Sequence, residues 1–375
     1  MSGKRRGKRS PRRPRGRIRG CLLSLLSLAL IGGVLAGALA AFGIWRLRQP
    51  YKGYPEPERQ VSVEPGTKAA TVLARLESQG VIFHAGLARA YLVYVLHDPP
   101  IQAGDYLFRG PLTTPQVLSK LIRGDVITHR VTVVEGLTLE ETADVLAAAG
   151  LGRRDAFLER MRSPAPIADL DPEARDLEGY LFPETYTFRL RTPESEIVKA
   201  MVRTFRARFE RDVRPLLAAR PRPHGVRGLV TLASIVEKEA KLDGERPLIA
   251  AVYQNRLDRR MGLAADPTVI YAMKLRGTWD GNLRRADLQM DSPYNTYRYG
   301  GLPPGPICSP GAKSLRAAAA PARNAYLYFV SRNDGTHVFA ETLAEHSRNV
   351  EIWQRQYWRD RHERERREAA ARPGR

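Results

Sequence analysis

Two glutamates, Glu237 and Glu239, flank Lys238 at the end of the mostly apolar run "LVTLASIVEKEA". Carboxyl groups can act in general acid–base catalysis, in which a side chain passes a proton to or from a reacting group. A carboxyl that lies against apolar side chains loses the hydration of its charged form, which raises its pKa towards the range that a general acid needs. The helix that carries the pair therefore decides which glutamate could do such chemistry.

A helical wheel separates the two glutamates. At about 100° per residue the segment forms one apolar arc, made of Leu229, Leu232, Ala233, Val236 and Ala240. Glu239 falls beside this arc with no cation nearby in the helix, so desolvation should favour its neutral form. Glu237 lies at the other margin and precedes Lys241 by four residues, the favourable order for a solvated ion pair. Glu239 is the predicted acid and Glu237 the fallback, and Gly244 is expected to end the helix.

Other chemically active patterns are weak. Asp266, Asp287 and Asp291 offer further carboxylates, but their spacing makes none an obvious partner, and Asp266 could simply cap the helix that follows it. Ser234 lacks the Gly-x-Ser-x-Gly pattern of a nucleophile, and Cys308 has no recognisable histidine context. The seven His and two Cys never cluster at ligand spacing. We therefore expect neither a metal nor a cofactor.

Positive charge is concentrated at the N-terminus, directly before an uncharged run. The chain has 375 residues and a net charge of +21, and the Pro- and Gly-broken residues 1–20 are rich in Arg and Lys, which predicts a disordered arm. The uncharged run Cys21–Trp45 predicts one transmembrane helix, with the lipid bilayer as its partner through residues 21–45. The arm is more basic than the far flank, which predicts a cytoplasmic N-terminus and extracytoplasmic folded domains. No nucleic acid is then expected as a partner.

A cleaved signal peptide is the alternative to a retained anchor. Ala38–Ala40 has the small-x-small form of a cleavage site. The apolar run is too long for a signal-peptide core and continues past that site to Trp45, which favours the anchor.

The remaining chain predicts an α+β fold in several parts. Residues 46–60 form a Pro-punctuated linker. Residues 61–128 show a βααβ pattern that resembles LysM domains, which bind glycans containing N-acetylglucosamine. A structural spacer is equally consistent with this pattern. Residues 129–192 repeat the βα pattern and include "DLEGYLFPETYTF", predicted to be a strand-turn-strand with an acidic rim. Residues 193–358 form the predicted catalytic domain, beginning with a long helix over 194–220. Residues 359–375 form a charged tail that extends the last helix or is disordered.

Several consecutive motifs resemble the YceG-like (MltG) family of endolytic murein transglycosylases. They include "LEGYLFPETY", "LVTLASIVEKEA", "AAVYQNRL", "MGLAADPTVIYAM", "SPYNTYRYGGLPPGPI" and "HVFAETLAEHSRNV". The resemblance implies a single-pass inner-membrane enzyme that cuts peptidoglycan glycan strands internally near sites of synthesis and leaves 1,6-anhydro-N-acetylmuramic acid ends. It also implies cell-wall synthases as partners. In that chemistry one glutamate serves as acid and then as base, so a second carboxylate is not required.

The resemblance also implies site residues. The family's catalytic glutamate aligns with Glu239, with Glu237 as the fallback. The positions that match cleft-lining motifs are Asn255, Asp266, Thr268, Tyr294, Asn295, Thr296 and Tyr297. The rival interpretation is a non-catalytic glycan-binding scaffold of the cell-wall synthesis machinery.

Overall fold

The computed structural model describes residues 15–219, 225–359, 361–363 and 366. The described chain is a mixed α+β structure with two compact units, one ending at Ile127 and the other beginning at Thr128. The predicted disordered arm lies outside the described residues up to position 14, and most of the predicted charged tail also lies outside them. The division predicted between residues 192 and 193 stays a prediction.

The first unit begins with a long apolar helix. Its elements are α1 Arg15–Leu47, β1 Glu58–Val63, α2 Ala69–Ser78, α3 Ala85–Tyr94, β2 Gly104–Arg109 and α4 Thr114–Arg123. Helix α1 begins at Arg15, so the prediction of disorder is wrong for residues 15–20, which continue the apolar helix towards the N-terminus. Its segment Leu26–Leu47 has 22 residues and is about 33 Å long, enough to cross a bilayer.

Strands β1 and β2 pair in antiparallel fashion, with Val61 opposite Tyr106. Helices α2, α3 and α4 cover this pair with a core that includes Leu73, Leu92 and Leu118. The order β1-α2-α3-β2 is the predicted βααβ pattern, while the likeness to LysM domains stays a prediction. The start of α4 is fixed by a capping box between Thr113 and Gln116.

Residues 46–60, predicted to be a linker, pack into the first unit. The side chains of Leu47 and Tyr54 are buried. Tyr51 exchanges two backbone hydrogen bonds with Leu112, and the Gly53 amide donates to the Gly80 carbonyl.

The second unit contains four strands and nine α-helices within its described residues. They are β3 Thr128–Thr132, α5 Leu139–Ala148, α6 Arg154–Met161, β4 Thr185–Arg189, α7 Glu194–Asp212, α8 Arg214–Ala219, α9 Gly225–Glu239, α10 Arg246–Asp258, α11 Asp266–Leu275, α12 Ala312–Ala319, β5 Tyr328–Ser331, β6 His337–Ala340 and α13 Leu343–Val350. Its core gathers around α9, whose residues from Leu229 to Val236 are all buried.

Three local predictions for this unit are wrong. The segment around Pro183 is not a strand-turn-strand, because β4 pairs with the distant β3, with Tyr186 opposite Val131. The single helix predicted over 194–220 is interrupted at Val213. Helix α9 ends at Glu239, and Gly244 lies in a separate short 3₁₀ turn.

Candidate functional site

Glu239 is the last residue of α9 and lines a cavity of about 350 Å³. The cavity draws its walls from α10, α11, α13, β5 and the loops between them. Its other lining residues are Tyr253, Arg256, Leu263, Ala264, Asp266, Tyr297, Phe329 and His346. The end of an apolar helix thus delivers one carboxyl to a concave site made by several elements.

The environment of Glu239 favours its neutral form. Burial raises the pKa of this carboxyl to about 7. A hydrogen bond from Tyr253 opposes this shift, whereas the negative charge of Asp266 adds to it. The Tyr253 hydroxyl donates to Oε1 over 2.9 Å. Among the described residues no donor reaches Oε2. A carboxyl with this pKa can both give and take a proton near neutral pH.

Glu237 does not have the solvated environment predicted for it. Its Oε1 accepts a 2.8 Å hydrogen bond from Arg246, and the two side chains are 5% and 8% exposed. Its Oε2 accepts from the Gly311 amide at 2.9 Å. The predicted partner Lys241 follows the end of α9, so the helical four-residue spacing does not apply. Glu237 is a buried partner of α10, with both oxygens occupied.

Asp266 and Tyr297 lie in the same cavity as Glu239. The Tyr297 hydroxyl donates to Oδ1 of Asp266 over 2.6 Å. Asp266 is the first residue of α11, whose N-cap is Ala265, and its side chain makes no capping bond. The interpretation of Asp266 as a helix cap is therefore wrong, because its carboxylate faces Tyr297 instead.

The structure places Asn255 in a hydrogen-bonded scaffold next to the cavity. Its Nδ2 donates to the carbonyls of Asn324 and Tyr326, at 3.1 and 2.9 Å. These bonds tie α10 to the segment that enters β5, which carries the cavity residue Phe329.

A second scaffold holds the loop that presents Tyr297. The buried hydroxyls of Thr268 and Thr296 lie 2.9 Å apart, and the Thr296 hydroxyl accepts from the Ala265 amide at 3.0 Å. The amide of Asn295, also buried, donates to the carbonyls of Leu288 and Met290. In the structure, the hydrogen bonds of Thr268, Asn295 and Thr296 fix the position of the loop. A substrate contact by any of the three stays a prediction.

Tyr294 lies apart from the Glu239 cavity. Its ring centroid is 4.9 Å from that of Tyr271. Tyr271 lines a different cavity of about 290 Å³, which also contains Glu178, Lys274 and Trp279.

The sequence reasoning missed Glu178, a second carboxyl with a raised pKa. Burial raises the pKa of Glu178 to about 8, although the residue was assigned to an acidic rim. The Leu139 amide donates to both of its oxygens, at 3.0 and 3.1 Å, and the Tyr271 hydroxyl donates to Oε2 at 3.1 Å. Both oxygens therefore hold α5 and α11 in place, whereas Glu239 keeps one oxygen without such a partner.

The sequence reasoning also missed the four other polar or aromatic residues of the cavity, namely Tyr253, Arg256, Phe329 and His346. Tyr253 had a usable signal, since it lies one turn after Ile249 on the apolar face of α10, and a buried tyrosine hydroxyl needs a hydrogen-bond partner. Arg256 is fixed by bonds to the carbonyls of Leu263 and Leu327, each 2.7 Å long. Those contacts join segments that are distant in sequence. Within the described residues no group of three potential metal ligands occurs.

Comparison with known proteins finds a matching family and similar proteins. The YceG-like family matches residues 61–352. A Bacillus subtilis protein named endolytic murein transglycosylase is 31% identical over 321 residues, which cover 81% of this chain and 87% of that protein. A Streptococcus pneumoniae protein of the same name is 28% identical, and the match covers 77% of this chain but 57% of that longer relative.

A solved structure is also similar. The crystal structure of a YceG-like protein from Listeria monocytogenes shares 32% sequence identity with this chain and superposes with a TM-score of 0.53. The match covers 78% of this chain and 98% of that one.

Proposed function

The chain belongs to the YceG-like family, and from that premise we propose that it is a peptidoglycan lytic transglycosylase that cuts glycan strands internally. The name shared by its curated relatives supports this activity. The observation that carries the proposal is Glu239, a carboxyl with a pKa of about 7 and one unoccupied oxygen in a cavity.

Protonated Glu239 begins the reaction as a general acid. It gives its proton to the oxygen that joins N-acetylmuramic acid to N-acetylglucosamine, and the bond from that oxygen to C1 of the muramic acid breaks. Positive charge develops on the muramic acid ring as the bond breaks. The negative charge of Asp266, which already raises the pKa of Glu239, favours this developing charge.

The carboxylate form of Glu239 then completes the reaction as a base. It takes the proton from the C6 hydroxyl of the same muramic acid, and O6 attacks C1 to form the 1,6-anhydro ring. Glu239 returns to its acid form and no water is consumed. A second catalytic carboxylate is unnecessary in this scheme, which fits the engagement of Glu237 in a buried ion pair.

The cellular setting follows from the apolar helix. We propose that residues 21–45 of α1 lie in the inner (plasma) membrane, that the N-terminus lies in the cytoplasm, and that the chain after α1 lies outside the cytoplasm. In that setting the enzyme would act on nascent strands, end their elongation, and work beside cell-wall synthases. The LysM-like pattern of the first unit would add a second contact with the glycan.

The decisive test is the chemistry of the product. The full-length protein in detergent is incubated with uncrosslinked glycan strands and the fragments are weighed by mass spectrometry. We expect internal cleavage with anhydro ends, and a loss of about 10²- to 10⁴-fold in rate for Glu239→Gln. Reducing ends one water heavier would identify a hydrolase. Intact strands would support the glycan-binding scaffold instead.

Glu237→Gln is the matched control, because it changes the neighbouring glutamate in the same way. It removes one charge of the buried pair with Arg246, so we expect a loss of roughly 3 kcal/mol in stability and retained cleavage per folded molecule. Thermal unfolding separates the two effects. Complete loss of cleavage in a fully folded Glu237→Gln protein would assign the chemistry to Glu237.

A further inference from the structure

The first unit exposes three large apolar side chains around α3. Phe83, Tyr94 and Val95 are 41%, 82% and 44% exposed. Tyr94 lies two helical turns after Leu87, so the two residues share one face of α3. We call Phe83, Tyr94 and Val95 the α3 patch.

The α3 patch adjoins the end of the apolar helix α1. A Cβ built on Gly43 would lie 3.6 Å from Cδ2 of Leu87, an ordinary van der Waals distance, so α3 lies directly beside α1 at this point. The Arg46 guanidinium carbon lies 4.1 Å from the centroid of the Phe83 ring. Both partners in α1 belong to its candidate membrane span, which ends at Leu47.

The segment between α1 and β1 is packed against the rest of the first unit, so it is not a flexible linker that could separate the α3 patch from α1. Leu47 is buried, and Tyr51 is bonded to Leu112 in both directions, at 3.0 and 3.2 Å. The Gly53 amide donates to Gly80 over 2.8 Å. A side chain on Gly80 would collide with the Gly53 backbone, since its Cβ would lie 2.5 Å from the Gly53 carbonyl carbon.

The contact between α3 and α1 lies close to the end of the candidate membrane span, and this position decides what can cover the α3 patch. Gly43 lies four residues before Leu47, which is about 6 Å along the helix axis. The end of a span in a bilayer lies among lipid headgroups, where aromatic side chains are enriched. Phe42 and Trp45 are exposed at this same end of α1. The α3 patch therefore continues an aromatic surface that α1 begins.

We propose that the α3 patch docks on the bilayer interface, with Phe83, Tyr94 and Val95 among the headgroups of the leaflet that receives the end of α1. The proposal rests on the membrane anchoring proposed above. The preferred lipids are anionic, because Arg46 lies at the end of the span and Arg48 and Lys52 follow it on the same side. The first unit would then be held against the membrane by α1 and by its own surface.

A depth measurement on the full-length protein tests this. Single cysteines are introduced in a Cys21→Ser background, and Cys308 is kept because it is fully buried. Val95→Cys carries an environment-sensitive fluorophore in phosphatidylcholine–phosphatidylglycerol vesicles. Nitroxide lipids, labelled on the headgroup or the acyl chain, serve as quenchers.

Glu64→Cys is the control site in the same unit. The chain runs from Gly53 through β1 to Glu64 and returns through α2 to Gly80, so Glu64 lies in the exposed turn at the opposite ends of β1 and α2 from the Gly53–Gly80 contact. We expect headgroup quenching at residue 95 to be at least twofold stronger than at residue 64. Equal quenching at the two positions would overturn the proposal.

One further label and one double variant make every outcome decisive. A label at Val34→Cys reports the span itself, and its failure to be quenched by acyl-chain nitroxide would remove the anchor and the docking together. Quenching at residue 95 should fall by about half or more in Phe83→Ser/Tyr94→Ser; if it persists, the fluorophore itself drives insertion and the proposal fails. Glycan-strand cleavage by the same preparations measures the proposed enzymatic function independently of membrane docking.

Discussion

Glu237 and Glu239 show how far two like residues on one helix can differ. The carboxyl of Glu239 faces a cavity and receives one hydrogen bond, from Tyr253. Glu237 is closed off by Arg246 and the Gly311 amide. An acid that must approach a glycosidic oxygen needs a free oxygen of its own and a proton at working pH, and of the two only Glu239 meets both conditions.

The pH dependence of cleavage should report the proton on Glu239. Its pKa of about 7 means that the acid form is lost as pH rises through that value, so kcat/KM should fall about tenfold per pH unit above it. A rate that stays constant up to pH 9 would show that another group supplies the proton.

The fall of kcat/KM above the pKa of Glu239 is the alkaline limb of the pH profile. Two substitutions should shift this limb in opposite directions. Tyr253→Phe removes a hydrogen bond that lowers the pKa of Glu239, so the limb should shift to higher pH. Asp266→Asn removes a negative charge that raises the same pKa, so the limb should shift to lower pH. Tyr326→Phe, outside the cavity lining, should leave it unchanged. Shifts of the same sign in the first two variants would contradict this account of the site.

At the scale of elements, Glu178 joins the start of α5 to α11. It accepts from the Leu139 amide, the first residue of α5, and from the Tyr271 hydroxyl of α11. Its pKa rises from 4.5 to about 8 on folding. Below pH 4.5 the carboxyl is neutral in both states; as pH rises to 8, only the unfolded chain ionises, so folding loses stability.

Glu178→Gln should abolish this contribution. The stability of the wild type relative to the variant should fall by a few kcal/mol between pH 4.5 and 8, at about 1.4 kcal/mol per pKa unit. Chemical denaturation of both proteins across this range measures the difference. Parallel stability curves would show that Glu178 has the same pKa in the folded and unfolded states.

The sequence predicted features that depend on one element and missed those that join several. The apolar arc of α9, with Leu232 and Val236, correctly predicted the desolvation of Glu239. The partner of Glu237 was wrong because Arg246 belongs to the next helix and comes close only after the chain turns. Strand β4 pairs with β3 across more than fifty residues, and no local pattern specifies such a partner.

The candidate site shows the same limit. Asp266 and Tyr297 were named from motif positions and do meet in the cavity. Phe329 and His346 come from β5 and α13, far along the chain from Glu239, and only the folded chain brings them to the cavity. Thr268 and Thr296 were named as cleft-lining residues, which stays a prediction, and their mutual hydrogen bond is a long-range contact.

At the scale of the whole molecule, the charge distribution sets the expected orientation. The net charge is +21, and the segment before the apolar run is its most basic part, whereas only Arg46, Arg48 and Lys52 follow that run closely. Positively charged flanks stay in the cytoplasm during membrane insertion. The chain after α1, which includes the Glu239 cavity, would then lie on the outer side, where glycan strands are found.

Reporter fusions after Arg375 test this orientation. We expect a reporter that requires disulfide formation outside the cytoplasm to be active, and one that fluoresces only in the cytoplasm to be dark. Replacing the Arg and Lys residues of positions 1–20 with Ser removes the charge asymmetry, so an inverted fraction should appear. A fluorescent cytoplasmic reporter on the unaltered chain would place the Glu239 cavity on the wrong side for its proposed substrate, and Glu239 could then have no part in cutting the cell wall.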